Sequence, residues 1–347
     1  MKKKLLTIAC ATIFAGSAHA GNVNTGNADI TVEGGVTAGY FYSADYGNNK
    51  DNILLSDFML EISGGSDTTF AAGIGIINTP TVFDGGVGNY ATTGGGPGGL
   101  SMGPGDSGLE PDGISANIQY AYLTPTLAKG VTLDLGLLAT NIGYEVQQSY
   151  ANGNILRGAV WNSQPVYYPG IRANVELGGG MSAYVELSDT FPGGNGAAKA
   201  GAAGVSGSAG GMDYAVNYRQ INKGNGLLDV ILATKAGGMD VGVNFDYITT
   251  DASGDDDAFG LAVYVTPKAG SLDVPVRVEY FSDGNSGVYG GVDSGYSFTV
   301  TPTMAVGKSS FLRVELAYMA TDKGDLDGDG TTGDSALSAM LQGGYRF

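Results

Sequence analysis

The chain has 347 residues, of which 60 are glycine, 43% are hydrophobic and 10% are aromatic, and its formal net charge at pH 7 is −17. Glycine-rich disorder contains few aromatic and β-branched residues, so this composition indicates a folded protein. Such an acidic surface repels nucleic acid and attracts cations, which argues against a nucleic-acid partner.

The first twenty residues have the pattern of a secretory signal peptide. Three lysines precede an apolar stretch from Leu5 to Gly16, and "SAHA" supplies an A-x-A cleavage pattern ending at Ala20. A lipoprotein anchored at Cys10 is the alternative. Cleavage after Ala20 removes the single cysteine and the single histidine, His19. We therefore expect one mature domain, 21–347, without thiol or imidazole chemistry and without enzymatic activity.

The rest of the chain alternates between apolar and polar residues in segments of about ten. We find no apolar run near the ~18 residues that a membrane helix needs. In "VPVRVEYF", "FLRVELAYM" and "IRANVEL", aliphatic and aromatic residues occupy one face and charged residues the other. This pattern predicts a transmembrane β-barrel with aliphatic rows facing lipid and charged rows facing a wet lumen. The charged members of these rows are Arg172, Glu176, Arg277, Glu279, Arg313 and Glu315.

Counting the segments predicts an all-β, antiparallel up-and-down barrel of about sixteen strands, an even number as bacterial barrels require. The segment "AAKAGAAGVSGSAG" barely alternates, and if it is a loop, twelve or fourteen strands become possible. The expected starts lie near Ile30, Ile53, Thr69, Ile114, Val131, Val166, Met181, Ala197, Met212, Leu227, Met239, Phe259, Val274, Tyr296, Phe311 and Ser335.

A local repeat supports the hairpin as the structural unit. "GMDYAVNYRQ" and "GMDVGVNFDY" are separated by about the length of two strands with their turns. The matched positions are Met212/Met239, Asp213/Asp240, Val216/Val243 and Asn217/Asn244.

Four stretches carry a family resemblance: "VEGGVTAGYFYSADYGNNKDNILLSDFMLEISGG", "TPTVFD", "RGAVWNSQPVYYPGIRANVEL" and the final "YRF". On the basis of these stretches, the mature chain resembles Gram-negative outer-membrane porins and is similar to the OmpL-like β-barrel porins. The resemblance implies periplasmic termini, contact with outer-membrane lipid and lipopolysaccharide, and a homotrimer. It also implies that Tyr345 and Phe347 form the signal read by the barrel assembly machinery; simple anchoring at the lipid interface is the alternative.

The third external loop, "SYANGNILRGAVWNSQ", is unusually apolar. Resemblance to sixteen-stranded porins implies that it folds inward, with Arg157 facing carboxylates across the channel. A short helix on the barrel rim, with Trp161 at the interface, is the alternative, and the glycine-rich loop 84–112 is a competing candidate for occlusion. The charged residues listed above, together with Arg157, are predicted to line the pore as transport residues. The pairs Arg172/Glu176, Arg277/Glu279 and Arg313/Glu315 are equally expected as ion pairs that hold neighbouring strands together.

A possible calcium loop lies in "DLDGDGTTGDSA". Asp325, Asp327 and Asp329 alternate as in an EF-hand loop, but position twelve is Ala336 instead of a bidentate glutamate. We expect weak calcium binding at most, and no other cofactor. A solvated acidic loop is the alternative.

These patterns predict an outer-membrane porin that lets small hydrophilic solutes and ions diffuse passively, with a preference for cations. One alternative is a non-conducting structural or adhesive barrel whose acidic external loops bind a surface partner. An outer-membrane enzyme is disfavoured, because the known outer-membrane enzymes rely on histidine and the expected mature chain has none. A secreted soluble β-protein would remain in buffer without detergent.

Overall fold

The computed structural model describes residues 21–24, 29–44, 50–77, 81–84, 117–189, 199–222, 225–250, 257–284, 288–289, 292–323 and 335–347. In these ranges, no helix has the length and apolar character needed to cross a membrane. The helical structure described consists of short 3₁₀ turns, at Val82–Asp84, Ser149–Ala151 and Val160–Ser163.

Sixteen antiparallel strands form the barrel within the described ranges, and we number them β1 to β16 in chain order. Three short bridging strands, at Lys268–Ala269, Leu272–Asp273 and Thr303–Ala305, extend the sheet beside the main strands. The main strands are β1 Asp29–Ala44, β2 Lys50–Gly65, β3 Thr68–Ile77, β4 Asn117–Ala128, β5 Val131–Ala139, β6 Tyr167–Gly178, β7 Met181–Asp189, β8 Lys199–Ala209, β9 Met212–Asn222, β10 Asn225–Ala236, β11 Met239–Thr249, β12 Ala258–Thr266, β13 Val276–Ser282, β14 Ser294–Val300, β15 Ser310–Lys323 and β16 Ser335–Arg346.

The first and last strands close the barrel. β1 pairs with β16, for example with Tyr40 opposite Leu341, while every other strand pairs with its neighbours in the chain. A short N-terminal strand, Gly21–Asn24, pairs with the start of β1, which extends beyond the end of β16. Closure removes the free edges that an open sheet would present.

The predicted alternation of faces is confirmed along the strands. On β13, Val278 is 50% exposed on the outside, whereas its neighbours Arg277 and Glu279 are 0% and 1% exposed. On β15, Val314 and Leu316 are 47% and 49% exposed. Because successive side chains of a strand point to opposite faces, each strand contributes an aliphatic outer row and a polar inner row.

The predicted strand count is confirmed. Every expected start lies within three residues of an observed one. The weakly alternating segment forms β8, which pairs along its length with β7 and β9. The alternatives of twelve or fourteen strands are therefore wrong.

Glycine pairs build three of the tight turns at one end of the barrel. Gly179–Gly180, Gly210–Gly211 and Gly237–Gly238 all have positive φ, between 60° and 82°. A two-residue hairpin turn with positive φ at both positions matches the right-handed twist of the flanking strands. These turns are short, whereas strand ends that are joined by long connections, such as Ile77 and Asn117, lie at the opposite end of the barrel.

Several other glycines make room for aromatic rings on the neighbouring strand. A Cβ added at Gly204 would lie 2.5 Å from the ring of Tyr184, the residue directly opposite it. The same arrangement joins Gly344 to Phe311, where the distance is 2.1 Å. The high glycine and aromatic contents of the chain are thus linked, because bulky rings and bare backbone occupy facing positions.

Candidate constriction inside the barrel

The connection between β5 and β6, residues 140–166, folds into the barrel, and we call it the inner loop. Tyr150 is 5% exposed, and Ile155 and Leu156 are fully buried against inward-facing side chains of the wall. Trp161 is half-buried. The alternative of a helix packed on the outer rim does not describe this segment.

Two glutamates of the wall bind backbone N–H groups of the inner loop. Glu315 on β15 accepts hydrogen bonds from the N–H groups of residues 155 and 156, the second at 2.8 Å. Glu279 on β13 accepts from those of residues 159 and 160, at 3.0 and 3.1 Å. Buried backbone donors need acceptors, so these carboxylates hold the middle of the loop against the wall.

Two arginines of the same wall bind backbone carbonyl groups of the inner loop. Arg313 donates to the carbonyl oxygens of residues 149 and 152, both at 2.9 Å. Arg277 donates to the carbonyl oxygen of Leu156 at 2.7 Å. The inward charges of β13 and β15 therefore match both the donors and the acceptors of the loop backbone.

Charged residues of the inner loop complete this network. Glu145 accepts from the Gly158 N–H at 2.7 Å and forms a 2.6 Å ion pair with Arg277. Arg157 is fully buried and donates to carbonyl groups of its own loop. Burial raises the pKa of Glu145, an effect that Arg277 opposes, and burial lowers the pKa of Arg157, which Glu145 opposes.

The return segment of the inner loop docks on β11. Asp246 accepts from the Ser163 hydroxyl and, at 2.8 Å, from the Gln164 amide. Asn244 bridges Asp246 and Asp229, the residue opposite Asp246 on β10. These residues were not among the predicted site residues, although Asn244 is a matched position of the internal repeat.

Apolar side chains cover the network in one cluster. Val82, from a segment before β4, donates its N–H to the Arg157 carbonyl at 2.9 Å and packs into this cluster. The cluster joins wall and loop residues: Phe41, Leu54, Val82, Ile142, Ile155, Leu156, Ala159, Leu227, Ile248, Ala258, Phe281, Tyr289, Val292, Ala317, Met319 and Met340. This sector of the barrel is consequently buried from solvent.

The predicted pore-lining residues separate into two groups. Five of them are at most 2% exposed and hold the inner loop: Arg157, Arg277, Glu279, Arg313 and Glu315. Arg172 on β6 is 6% exposed, and Glu176 near the end of β6 is exposed. Contact of any of them with permeating solutes stays a prediction.

The predicted pairing of Arg172 with Glu176 is wrong. Four residues along one strand span about 13 Å, too far for an ion pair. Arg172 instead contacts Glu186 on β7 at 2.8 Å and Asp134 on β5 at 3.9 Å. Arg277 does pair with Glu279, at 3.0 Å, whereas Arg313 and Glu315 each bind the inner loop.

Two other predictions concern the ends of the chain and the acidic loop. Tyr345 is 47% exposed on the outer face, and Phe347 exchanges two 3.0 Å backbone hydrogen bonds with Gly34. The possible calcium ligands Asp325, Asp327 and Asp329 lie outside the described residues, as do the signal segment 1–20 and most of loop 84–112. Within the described ranges, no group of three or more acidic, histidine or cysteine side chains is arranged to hold a metal ion.

A closed sixteen-stranded antiparallel barrel with an aliphatic exterior and an inward-folded loop after β5 has the architecture of an outer-membrane porin. Residues 29–347 match the family model described as "Putative beta-barrel porin-2, OmpL-like", so the chain belongs to this family of OmpL-like porins. No curated protein sequence matches the chain.

Solved porin structures share the fold at low sequence identity. The outer-membrane channel DcaP of Acinetobacter baumannii is 14% identical, with a TM-score of 0.62 over 94% of this chain and 100% of its own. An anion-selective porin from Comamonas acidovorans is 13% identical, with a TM-score of 0.61 over 92% and 100%. The trimer form of OmpT from Vibrio cholerae is 11% identical, with a TM-score of 0.57 over 92% and 99%. At these identities the likeness shows the fold alone.

Proposed function

We propose that this outer-membrane porin is a passive diffusion channel for small hydrophilic solutes and ions, narrowed by the inner loop. The observation that carries the proposal is that the inner loop covers only part of the inner wall of the barrel. The inner loop buries the inward side chains of β13 and β15, whereas Glu61, Tyr120, Tyr122, Asn174 and Tyr184 on β2, β4, β6 and β7 keep partial exposure. This arrangement supports a narrow aqueous route beside the loop instead of a wide central pore.

Single-channel recording tests this proposal. The protein, refolded in detergent, is added to planar lipid bilayers in potassium chloride, and discrete current steps are expected. Stable insertion without any current would favour the alternative of a structural or adhesive barrel. A protein that stays monodisperse without detergent and never enters vesicles would contradict both.

The charge balance supports a preference for cations. Among the described residues, nine acidic side chains are buried against five arginines, and the external loops of the sequence are rich in aspartate. A negative interior lowers the barrier for cations and raises it for anions. Reversal potentials in a salt gradient measure this ratio, and a clear anion preference would contradict it.

The remaining partners are proposals of the same kind. A homotrimer is supported by the trimer form of the structurally similar OmpT, and native mass measurement of the detergent complex tests it. Lipid and lipopolysaccharide would contact the aliphatic outer rows. Removal of the signal segment predicts a mature protein that begins at Gly21, which N-terminal sequencing checks. Calcium binding at Asp325, Asp327 and Asp329 is tested by calcium titration against an Asp327→Asn variant.

Tyr345 and Phe347 would serve recognition by the barrel assembly machinery. A Phe347→Ala variant should then accumulate poorly in the outer membrane of cells yet refold normally from denaturant into lipid vesicles. A variant that loses both abilities equally would indicate simple anchoring of the last strand.

A further inference from the structure

Glu61 on β2 lies among four tyrosines in the sector that keeps partial exposure. Its carboxylate accepts a 2.6 Å hydrogen bond from the hydroxyl of Tyr120 on β4 and a 2.8 Å bond from the hydroxyl of Tyr150 on the inner loop. The Tyr120 ring is 5.8 Å from the ring of Tyr167 and 6.1 Å from that of Tyr122. The carboxylate is thus bordered by aromatic surface on the wall and on the loop. We call these five residues the tyrosine cluster.

Two glycines make room for this arrangement. A Cβ added at Gly73 on β3 would lie 2.5 Å from the Tyr120 ring, and one added at Gly35 on β1 would lie 2.7 Å from the Tyr150 ring. Any side chain at either position would push a ring away from the wall. The sequence therefore supplies bare backbone where the rings must lie flat.

In the part of the chain that the structure describes, no cation matches the charge of Glu61. Both of its protein partners are neutral phenols, and among the described residues no arginine or lysine forms an ion pair with it. By contrast, the nearby acids Asp134 and Glu186 both contact Arg172. Glu33, directly opposite Glu61 on β1, is exposed and adds a second negative charge. Tyr150 and Tyr167 are buried, whereas Glu61, Tyr120 and Tyr122 keep partial exposure, so the tyrosine cluster presents an acidic and aromatic surface at its partly open side.

We propose that the tyrosine cluster is a binding subsite for organic ammonium cations on the route through the channel. This inference rests on the proposed channel function and adds a substrate class to it. The face of an aromatic ring attracts an alkylammonium group, and a carboxylate beside the ring adds a charge-assisted contact. Weakly hydrated organic cations gain more from such aromatic surface than small metal ions, which would lose a tightly held water shell.

Block of the potassium current by choline tests the subsite. In wild-type channels, choline should reduce the current saturably. Glu61→Gln, which keeps the shape of the side chain, should weaken the block about tenfold, as expected for a lost charge-assisted contact. Tyr122→Leu should weaken the block about threefold, because it removes one ring face. Tyr122→Leu should also leave the ratio of potassium to chloride permeability unchanged, whereas Glu61→Gln should lower it.

Asp213→Asn is the matched control, because Asp213 is an exposed acid at the turn end of β9, outside the tyrosine cluster. Choline should block this variant as it blocks the wild type. Two results overturn the subsite: a conducting wild type without saturable choline block, or a block in both Glu61→Gln and Tyr122→Leu that is as strong as in the wild type. If the wild type carries no current, the channel proposal fails, and calorimetric titration of choline into the protein in detergent decides the subsite alone. Binding that is lost in Glu61→Gln then supports it, and no binding overturns it.

Discussion

Replacing Glu315 by leucine should release the inner loop from the barrel wall. Glu315 is fully buried and accepts from two loop N–H groups and from the Thr301 hydroxyl, the last at 2.7 Å. Leucine has a similar size but accepts no hydrogen bond, so the docked loop would keep at least two unsatisfied buried donors. Each costs about 1–3 kcal/mol, or about 2–6 kcal/mol for the two together. Since about 1.4 kcal/mol corresponds to tenfold, even the middle of this range disfavours docking several hundredfold.

Trypsin provides a direct readout of this release. Arg157 is the only arginine or lysine between Lys129 and Arg172, and it is fully buried while the loop is docked. Glu315→Leu should therefore become cleavable after Arg157 and should show a larger single-channel conductance. Glu315→Gln, which retains one acceptor oxygen, should give a smaller effect, and Glu176→Leu on the exposed end of β6 should give none. If Glu315→Leu keeps wild-type conductance and resists cleavage at Arg157, the wall carboxylates do not hold the loop.

Three further predictions concern packing, the lipid face and pH. Gly204→Val should cost about 1–3 kcal/mol of unfolding free energy in urea titrations in vesicles, because its Cβ meets the Asn217 side-chain oxygen and the Tyr184 ring. Adding Tyr184→Ala should recover the part of this cost that is due to the ring; equal losses with and without Tyr184 would refute that contact. Val278→Arg on the outer face should cost about 2–4 kcal/mol of unfolding free energy in the same assay. Thr132→Arg, on the partly exposed inner face of β5, should cost far less. Similar costs for the two variants would mean that the outer face does not contact hydrocarbon. Burial raises the pKa of Glu145, so its carboxyl group binds a proton more tightly in the docked loop than in the released loop. Docking should therefore strengthen as pH falls toward the ordinary glutamate pKa of 4.5 and weaken as pH rises. Trypsin cleavage after Arg157 is measured at each pH with the amount of enzyme adjusted to equal activity. It should rise with pH in the wild type and rise less in Glu145→Gln. An identical pH profile in both would exclude Glu145 as the titrating group.

The barrel could be predicted from the sequence because its signal is local. The alternation that places Val278 outside and Arg277 inside repeats every two residues, and each strand of about ten residues carries it independently of its neighbours. The signal was weakest for β8, whose small side chains barely alternate, and its pairing with β7 and β9 in the structure decided that it is a strand. The turns were equally local, since a glycine pair such as Gly210–Gly211 needs no distant partner to favour a hairpin.

The partners of the inward charges were decided only by the tertiary structure. Alternation shows that Arg172 and Glu176 share a face, but the barrel gives Arg172 its partners across the sheet, Glu186 and Asp134. Glu315 binds loop residues about 160 positions earlier in the chain, and Glu61 binds Tyr150, which lies 89 positions later. No periodicity records such contacts, because they depend on how the closed wall bends the inner loop across the lumen. The sequence by itself determined which residues face inward, and the closed barrel determined which of them water can reach.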